Sequence, residues 1–179
     1  MKKAELLATM NNFLIEQYSN GRKVLLIVDE AQNLSNKVLE EVRLLSGVET
    51  TKEKVLRIIL AGQPELNAKL DSADLEQLKQ RVRLRFHLTP LSEEDMGRYV
   101  RHRLEVAGAA GREIFEPDTF PEIYRYTGGT PRLINTLCDT AMLAAFGQDS
   151  PTVSMQDLRA AIGELQWVEF AARTHTQLT

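Results

Sequence analysis

Two adjacent carboxylates, Asp29 and Glu30, follow directly on the aliphatic run Val24-Leu25-Leu26-Ile27-Val28. A short continuous apolar run reads as a strand buried on both faces by helices. Unpaired charge is expensive to bury, so the two carboxylates are expected at the carboxyl edge of a sheet, where open α/β folds bind ligands. That arrangement suits nucleotide hydrolysis. Asp29 would hold Mg²⁺, usually through water, and Glu30 would orient and deprotonate the attacking water. The plainer alternative is a solvated Asp-Glu pair that caps the next helix.

Other reactive residue types carry less. His87 sits in an alternating strand-like stretch and His102 on a polar helix face, and neither has metal-ligand spacing to a partner. Cys138 falls on an apolar helix face, as a small core residue does. Trp167 could pack back on the helices before it or mark a contact surface. No Ser-His-Asp signature is apparent.

The elements that must position Asp29 and Glu30 can be read from periodicity. Leu6, Met10, Phe13, Leu14 and Gln17 follow helical spacing, so a helix is expected from Lys3 to Tyr18, stopped by Asn20-Gly21. After the Val24–Val28 strand, Ser35 can cap a helix carrying Val38, Leu39, Val42 and Leu45. Val55 to Ala61 reads as a second buried strand. Short helices follow from Pro64 to Leu70 and Asp74 to Gln80. Leu84 to Leu88 reads as a third strand, with Arg85 and His87 alternating outward. Strands separated by helices imply a mostly parallel sheet.

Past Pro90 the pattern is wholly helical. Ser92 and Asp95 have capping-box spacing, with Leu91 and Met96 placed as a hydrophobic staple. That helix runs to about Ala107. Another lies within Asp118 to Tyr126, with Pro121 near its start. Thr130 can cap a third, with Pro131 in its first turn, running to Phe146. Ser154 and Asp157 form a capping box for a last helix through Leu165. The expected organisation is therefore an α/β part over 1–91, a helical part over 92–165 and a tail over 166–179.

Composition bounds the rest. The 179 residues are 43% hydrophobic and 26% charged, which is ordinary globular usage and argues against bulk disorder. Net charge is −3, so no overall basic surplus exists to bind nucleic acid by bulk electrostatics. Cys138 is the only cysteine, which excludes an intrachain disulfide and a multi-cysteine zinc site. No run of about 18 apolar residues or signal-peptide-like N-terminus is present, so a cytoplasmic protein is expected.

Four aliphatic residues followed by Asp-Glu resemble the Walker B motif of P-loop NTPases. The longer VDEAQNL is similar to the AAA+ ATPases of the general secretion pathway protein A (ExeA-like) family. Further stretches follow in that family's order. IILAGQPEL, at Ile58 to Leu66, resembles the strand and turn carrying sensor 1. QLKQRVRLRFHLTPLS, at Gln77 to Ser92, resembles the arginine-finger region and last core strand. YTGGTPRLINTLCD, at Tyr126 to Asp139, resembles the sensor 2 helix.

The resemblance covers roughly residues 3 to 165. It implies a partial P-loop NTPase (AAA+) α/β parallel-sheet core followed by an all-α lid. It also implies roles for three more residues. Gln63 would be sensor 1, a neutral amide beside Glu30 that holds the lytic water or touches the γ-phosphate. Arg81 would be the arginine finger acting on a neighbouring subunit's nucleotide, with Arg83 and Arg85 as rivals. Arg132, just inside a helix preceded by Gly128-Gly129-Thr130-Pro131, would grip the β/γ-phosphates and couple lid angle to nucleotide state.

The glycine-rich phosphate loop G-x-x-x-x-G-K-[ST] is absent from the sequence, and Gly21-Arg22-Lys23 does not fit it. The resemblance places a P-loop, its helix and a further strand ahead of this region, so the chain is expected to be a fragment that hydrolyses ATP negligibly alone. The intact family member would bind ATP and Mg²⁺, self-associate as a ring or other homo-oligomer, and engage a secretion or inner-membrane partner protein, with a place at the inner-membrane face left open. The alternative is a non-catalytic interaction module, or part of a transposition- or DNA-associated AAA+ ATPase. The arginines between Arg81 and Arg103 keep DNA open as a minor option.

Overall fold

The computed structural model describes residues 3–45, 47 and 55–170. The chain divides into two compact units, Met1–His87 and Leu88–Thr179.

In the first unit, helix α1 (Lys3–Ser19) leads into strand β1 (Val24–Val28), a 3-10 turn (Ala31–Asn33) and helix α2 (Asn36–Leu45). Strand β2 (Leu56–Leu60) follows, then α3 (Glu65–Leu70), a second 3-10 turn (Ala73–Leu75) and α4 (Glu76–Lys79). The strands pair in parallel, Val24 opposite Leu56 through Val28 opposite Leu60. A parallel pair needs a crossover, which the α2 segment supplies. Ser35 starts α2 by accepting the Val38 N–H at 3.3 Å.

One face of the ribbon is covered. Val24, Leu26 and Ile58 pack with Leu14, Val55 and Leu56, and Met10 and Tyr18 join them from α1. A second cluster, Ala31, Leu39, Leu66, Leu70, Leu75 and Leu78, gathers against Val28 and Leu60. The opposite ribbon face is open among the described residues, with Leu25 52%, Ile27 60% and Ile59 48% exposed. The expectation of strands buried on both sides therefore fails here. Two strands offer α1 only a narrow strip, so Leu14 is buried while Leu6 and Phe13 of the predicted stripe stay exposed.

The predicted third strand is not formed. Residues 84–88 make no ladder, and Leu84, Phe86 and Leu88 are 74%, 83% and 92% exposed. Alternation of apolar and basic side chains records a face, but a strand also needs a neighbouring edge to satisfy its backbone. Among the described residues the sheet ends at β1 and β2.

The second unit is helical: α5 (Glu93–Val106), α6 (Thr119–Thr127), α7 (Pro131–Phe146) and α8 (Met155–Glu164). Its core joins Met96, Phe115, Ile123, Ile134, Leu137, Leu158 and Ile162, and Leu91 and Trp167 pack on it. Thr119 and Thr127 are buried with their hydroxyls donating to the Glu116 and Ile123 carbonyls at 2.6 and 2.7 Å. The Ser154–Asp157 capping box is complete. That of Ser92–Asp95 is half made. Ser92 Oγ accepts the Asp95 N–H at 3.1 Å, but Asp95 Oδ2 takes the Ser92 hydroxyl, while the Leu91 N–H is bound by Gly129 O. Thr130 caps α7 only through its carbonyl, which accepts the Ile134 N–H; its side chain makes no capping bond. Pro121 stands in the first turn of α6, where a missing N–H costs little.

Candidate active site

The site grows out of the ends of the two paired strands. Past the ladder, the Ala61 N–H donates to Val28 O at 2.8 Å and the Ala31 N–H to Ala61 O at 2.9 Å. These two bonds carry the register one step beyond the sheet. They set the Asp29–Gln32 turn beside the Gly62–Gln63 turn. Ala31, wholly buried, anchors the crossing.

Asp29 and Glu30 are both exposed at the carboxyl end of β1. Asp29 Oδ1 accepts the Glu30 N–H at 2.8 Å. Glu30 has φ 51° and ψ 36°, a left-handed conformation uncommon for a residue with a Cβ and found disproportionately at functional sites. It stands at the N-cap of the 3-10 turn, yet its side chain makes no capping bond. Its Oε2 instead accepts Gln32 Nε2 at 2.6 Å. Glu30 therefore does not cap this turn with its side chain.

Gln32 was not singled out by sequence reasoning. Its amide oxygen accepts the Gln63 N–H at 3.2 Å, so one side chain touches both the Glu30 carboxylate and the Gln63 backbone. Lys69 of α3 fixes the same turn, donating to Gln32 O at 2.9 Å and to Leu34 O. Gly62 leaves room for the amide, since a Cβ there would lie 2.5 Å from Gln32 Oε1. The available signal was Gln two residues after Glu30, paired with a glycine just before Gln63.

The remaining predicted residues are carried by other segments of the chain. Arg81 follows α4, its N–H bonded to Leu78 O, and its guanidinium reaches the neighbourhood of Gly47, where a Cβ would be 3.5 Å from Nη1. Arg83 is exposed. Arg85 is engaged with Asp71 at 3.2 Å, an acid that also meets Lys79 at 3.3 Å. The Lys79 hydrogen bond, aided by Arg85 and opposed by desolvation, holds the Asp71 carboxyl below its ordinary range. Arg132 belongs to the helical unit, exposed in the first turn of α7. His87 and His102 are exposed, and Cys138 is buried with its thiol pushed up to about 12 by desolvation, then by Asp139.

An AAA domain model matches residues 1–70. The chain is 42% identical over 159 residues to general secretion pathway protein A of Aeromonas hydrophila, a match that spans 89% of this chain and 29% of that protein. Together the two matches support a place in the AAA+ ATPase family of secretion protein A, and the chain spans less than a third of that relative's length. A Thermotoga maritima RuvB mutant aligns over 92% of this chain and 50% of its own with a TM-score of 0.65. At 13% identity that likeness shows the fold alone: a P-loop NTPase fold of the AAA+ type, here with a two-stranded parallel sheet. The chain is thus an AAA-family ATPase module related to secretion protein A. Among the described residues no helix is long and apolar enough to cross a membrane.

Proposed function

We propose that this chain supplies the metal-holding and water-activating half of a MgATP-hydrolysing AAA+ module. The observation that carries the reading is the pair at the end of β1. Asp29 and Glu30 stand exposed on the carboxyl edge, and the Glu30 carboxylate lies within one side chain of the Gln63 turn. The donor set fits magnesium, a hard cation that is usually held by one or two carboxylates together with phosphates and water. When bound, Mg²⁺ would neutralise charge on the phosphate oxygens. Asp29 would hold it, mostly through water. Glu30 would take a proton from the attacking water at its carboxylate, and the Gln63 amide would orient that water without repelling the γ-phosphate.

Arg81 would act across a subunit boundary, and Arg132, on the helical unit serving as a lid over 92–165, would contact phosphate and couple closure to nucleotide state. Self-association into a ring or other homo-oligomer and a secretion or inner-membrane partner in the cytoplasm complete the reading. The 179-residue chain alone is expected to hydrolyse ATP negligibly, because its sequence contains no glycine-rich phosphate loop. The test is nucleotide affinity with and without Mg²⁺, measured on this chain and on a version extended to include such a loop. Tight, Mg²⁺-dependent binding only in the extended version supports the proposal. Equal, negligible binding by both contradicts it.

A further inference from the structure

We infer that Gln32 is a positioning residue for Glu30, clamping the carboxylate to the Gln63 turn through the two ends of one amide. The inference rests on Glu30 being the base of the proposed ATPase. A glutamine is suited to the task by its chemistry, since its NH₂ can only donate and its carbonyl can only accept. Here Nε2 donates to Glu30 Oε2 at 2.6 Å, and Oε1 accepts the Gln63 N–H at 3.2 Å. Neither glutamate nor alanine at this position can satisfy both partners.

The surroundings keep the amide in place. Gln32 is half-buried, whereas the groups it joins are exposed. Its own carbonyl is held by Lys69. Glu30 has a left-handed backbone, and its carboxylate meets the amide of Gln32 two residues on. Gly62 is the complementary half, because its missing Cβ is the space that Gln32 Oε1 uses. A general base must sit within hydrogen-bond reach of the proton it takes, and a misplacement of about 1 Å costs on the order of 100-fold. Gln32 limits the freedom of Glu30 to that scale without touching the reacting atoms.

Three variants separate the arms of the clamp. Gln32→Ala removes both. Gln32→Glu keeps an acceptor for the Gln63 N–H but sets a carboxylate against Glu30. Gly62→Ala inserts a methyl where the amide oxygen lies, and the end of a flexible side chain can yield to it. Hydrogen exchange of the Gln63 amide is followed by NMR on the 179-residue chain. Exchange should quicken roughly five- to tenfold in Gln32→Ala and Gly62→Ala, and stay near the parent rate in Gln32→Glu. In the version extended by a phosphate loop, turnover should fall about 10- to 100-fold in all three, with nucleotide affinity within about twofold. Unchanged Gln63 exchange in Gln32→Ala overturns the clamp. So does unchanged turnover in Gln32→Ala when Glu30→Gln abolishes turnover. If Glu30→Gln itself turns over normally, the ATPase reading fails instead, and the positioning role with it.

Discussion

Gly129 closes directly against Leu91. The Gly129 carbonyl accepts the Leu91 N–H at 2.9 Å, and a Cβ on Gly129 would overlap the Leu91 carbonyl. Gly129 also has φ 74°, a left-handed value that a side chain resists. Glycine there lets the turn before Pro131 and Arg132 press on the segment entering α5. Gly129→Ala is therefore expected to destabilise the helical unit by about 2 kcal/mol or more. Gly163→Ala is the control. It lies in α8 with nothing within 4 Å of a Cβ, and should stabilise by about 0.5 kcal/mol. Chemical denaturation of the two variants checks both signs.

Asp157 ties the start of α8 together. Its Oδ2 accepts the Ser154 hydroxyl and the Ser154 N–H, and its Oδ1 accepts Gln148 Nε2. The Ser154 hydroxyl first and its N–H second, against desolvation, hold the Asp157 carboxyl below the ordinary range. A depressed folded value means the unfolded chain takes up the proton first. The stabilisation is therefore complete above the unfolded value of about 4 and is lost as pH falls through the lower folded one. Asp157→Asn should be less stable at neutral pH by about 1 kcal/mol. Its deficit should shrink in acid. Melting curves of both proteins across this range would show the gap closing, and a constant gap would contradict the assignment.

Of the three arginines, Arg85 is engaged with Asp71. In a nucleotide-competent extended protein, Arg81→Ala should spare binding by isolated subunits and lose the turnover gained as protein concentration rises, a loss on the order of 10³-fold. Arg85→Ala should keep that gain. Turnover measured against protein concentration distinguishes them, and the reverse outcome moves the finger away from Arg81.

The strand and helix positions were legible because β1, β2 and the four helices of the second unit carry their own signals: aliphatic runs, Ser caps and Gly-Gly-Thr-Pro. Leu84–Leu88 carries strand-like alternation without forming a strand, because alternation describes a side-chain face and is silent on whether a neighbouring edge exists. The open face of β1 and β2 differs from the expected double coverage for a related reason, since an all-apolar run does not encode how many helices lie over it. At the site, Asp29 and Glu30 stood out as charge after an apolar run. Gln32 did not, because its role depends on Gln63 arriving beside it through the Ala31–Ala61 backbone bond, a pairing distant in sequence.

In the proposed function Glu30 activates water while Asp29 serves the metal. The most direct measurement compares nucleotide binding and turnover for Glu30→Gln and Asp29→Asn in the version extended by a phosphate loop. Glu30→Gln should bind ATP as tightly as the parent and retain it unhydrolysed, with turnover down on the order of 10²–10⁴-fold. Asp29→Asn should lose turnover and also require more Mg²⁺ for binding. Hydrolysis at the parent rate by Glu30→Gln would exclude Glu30 as the base.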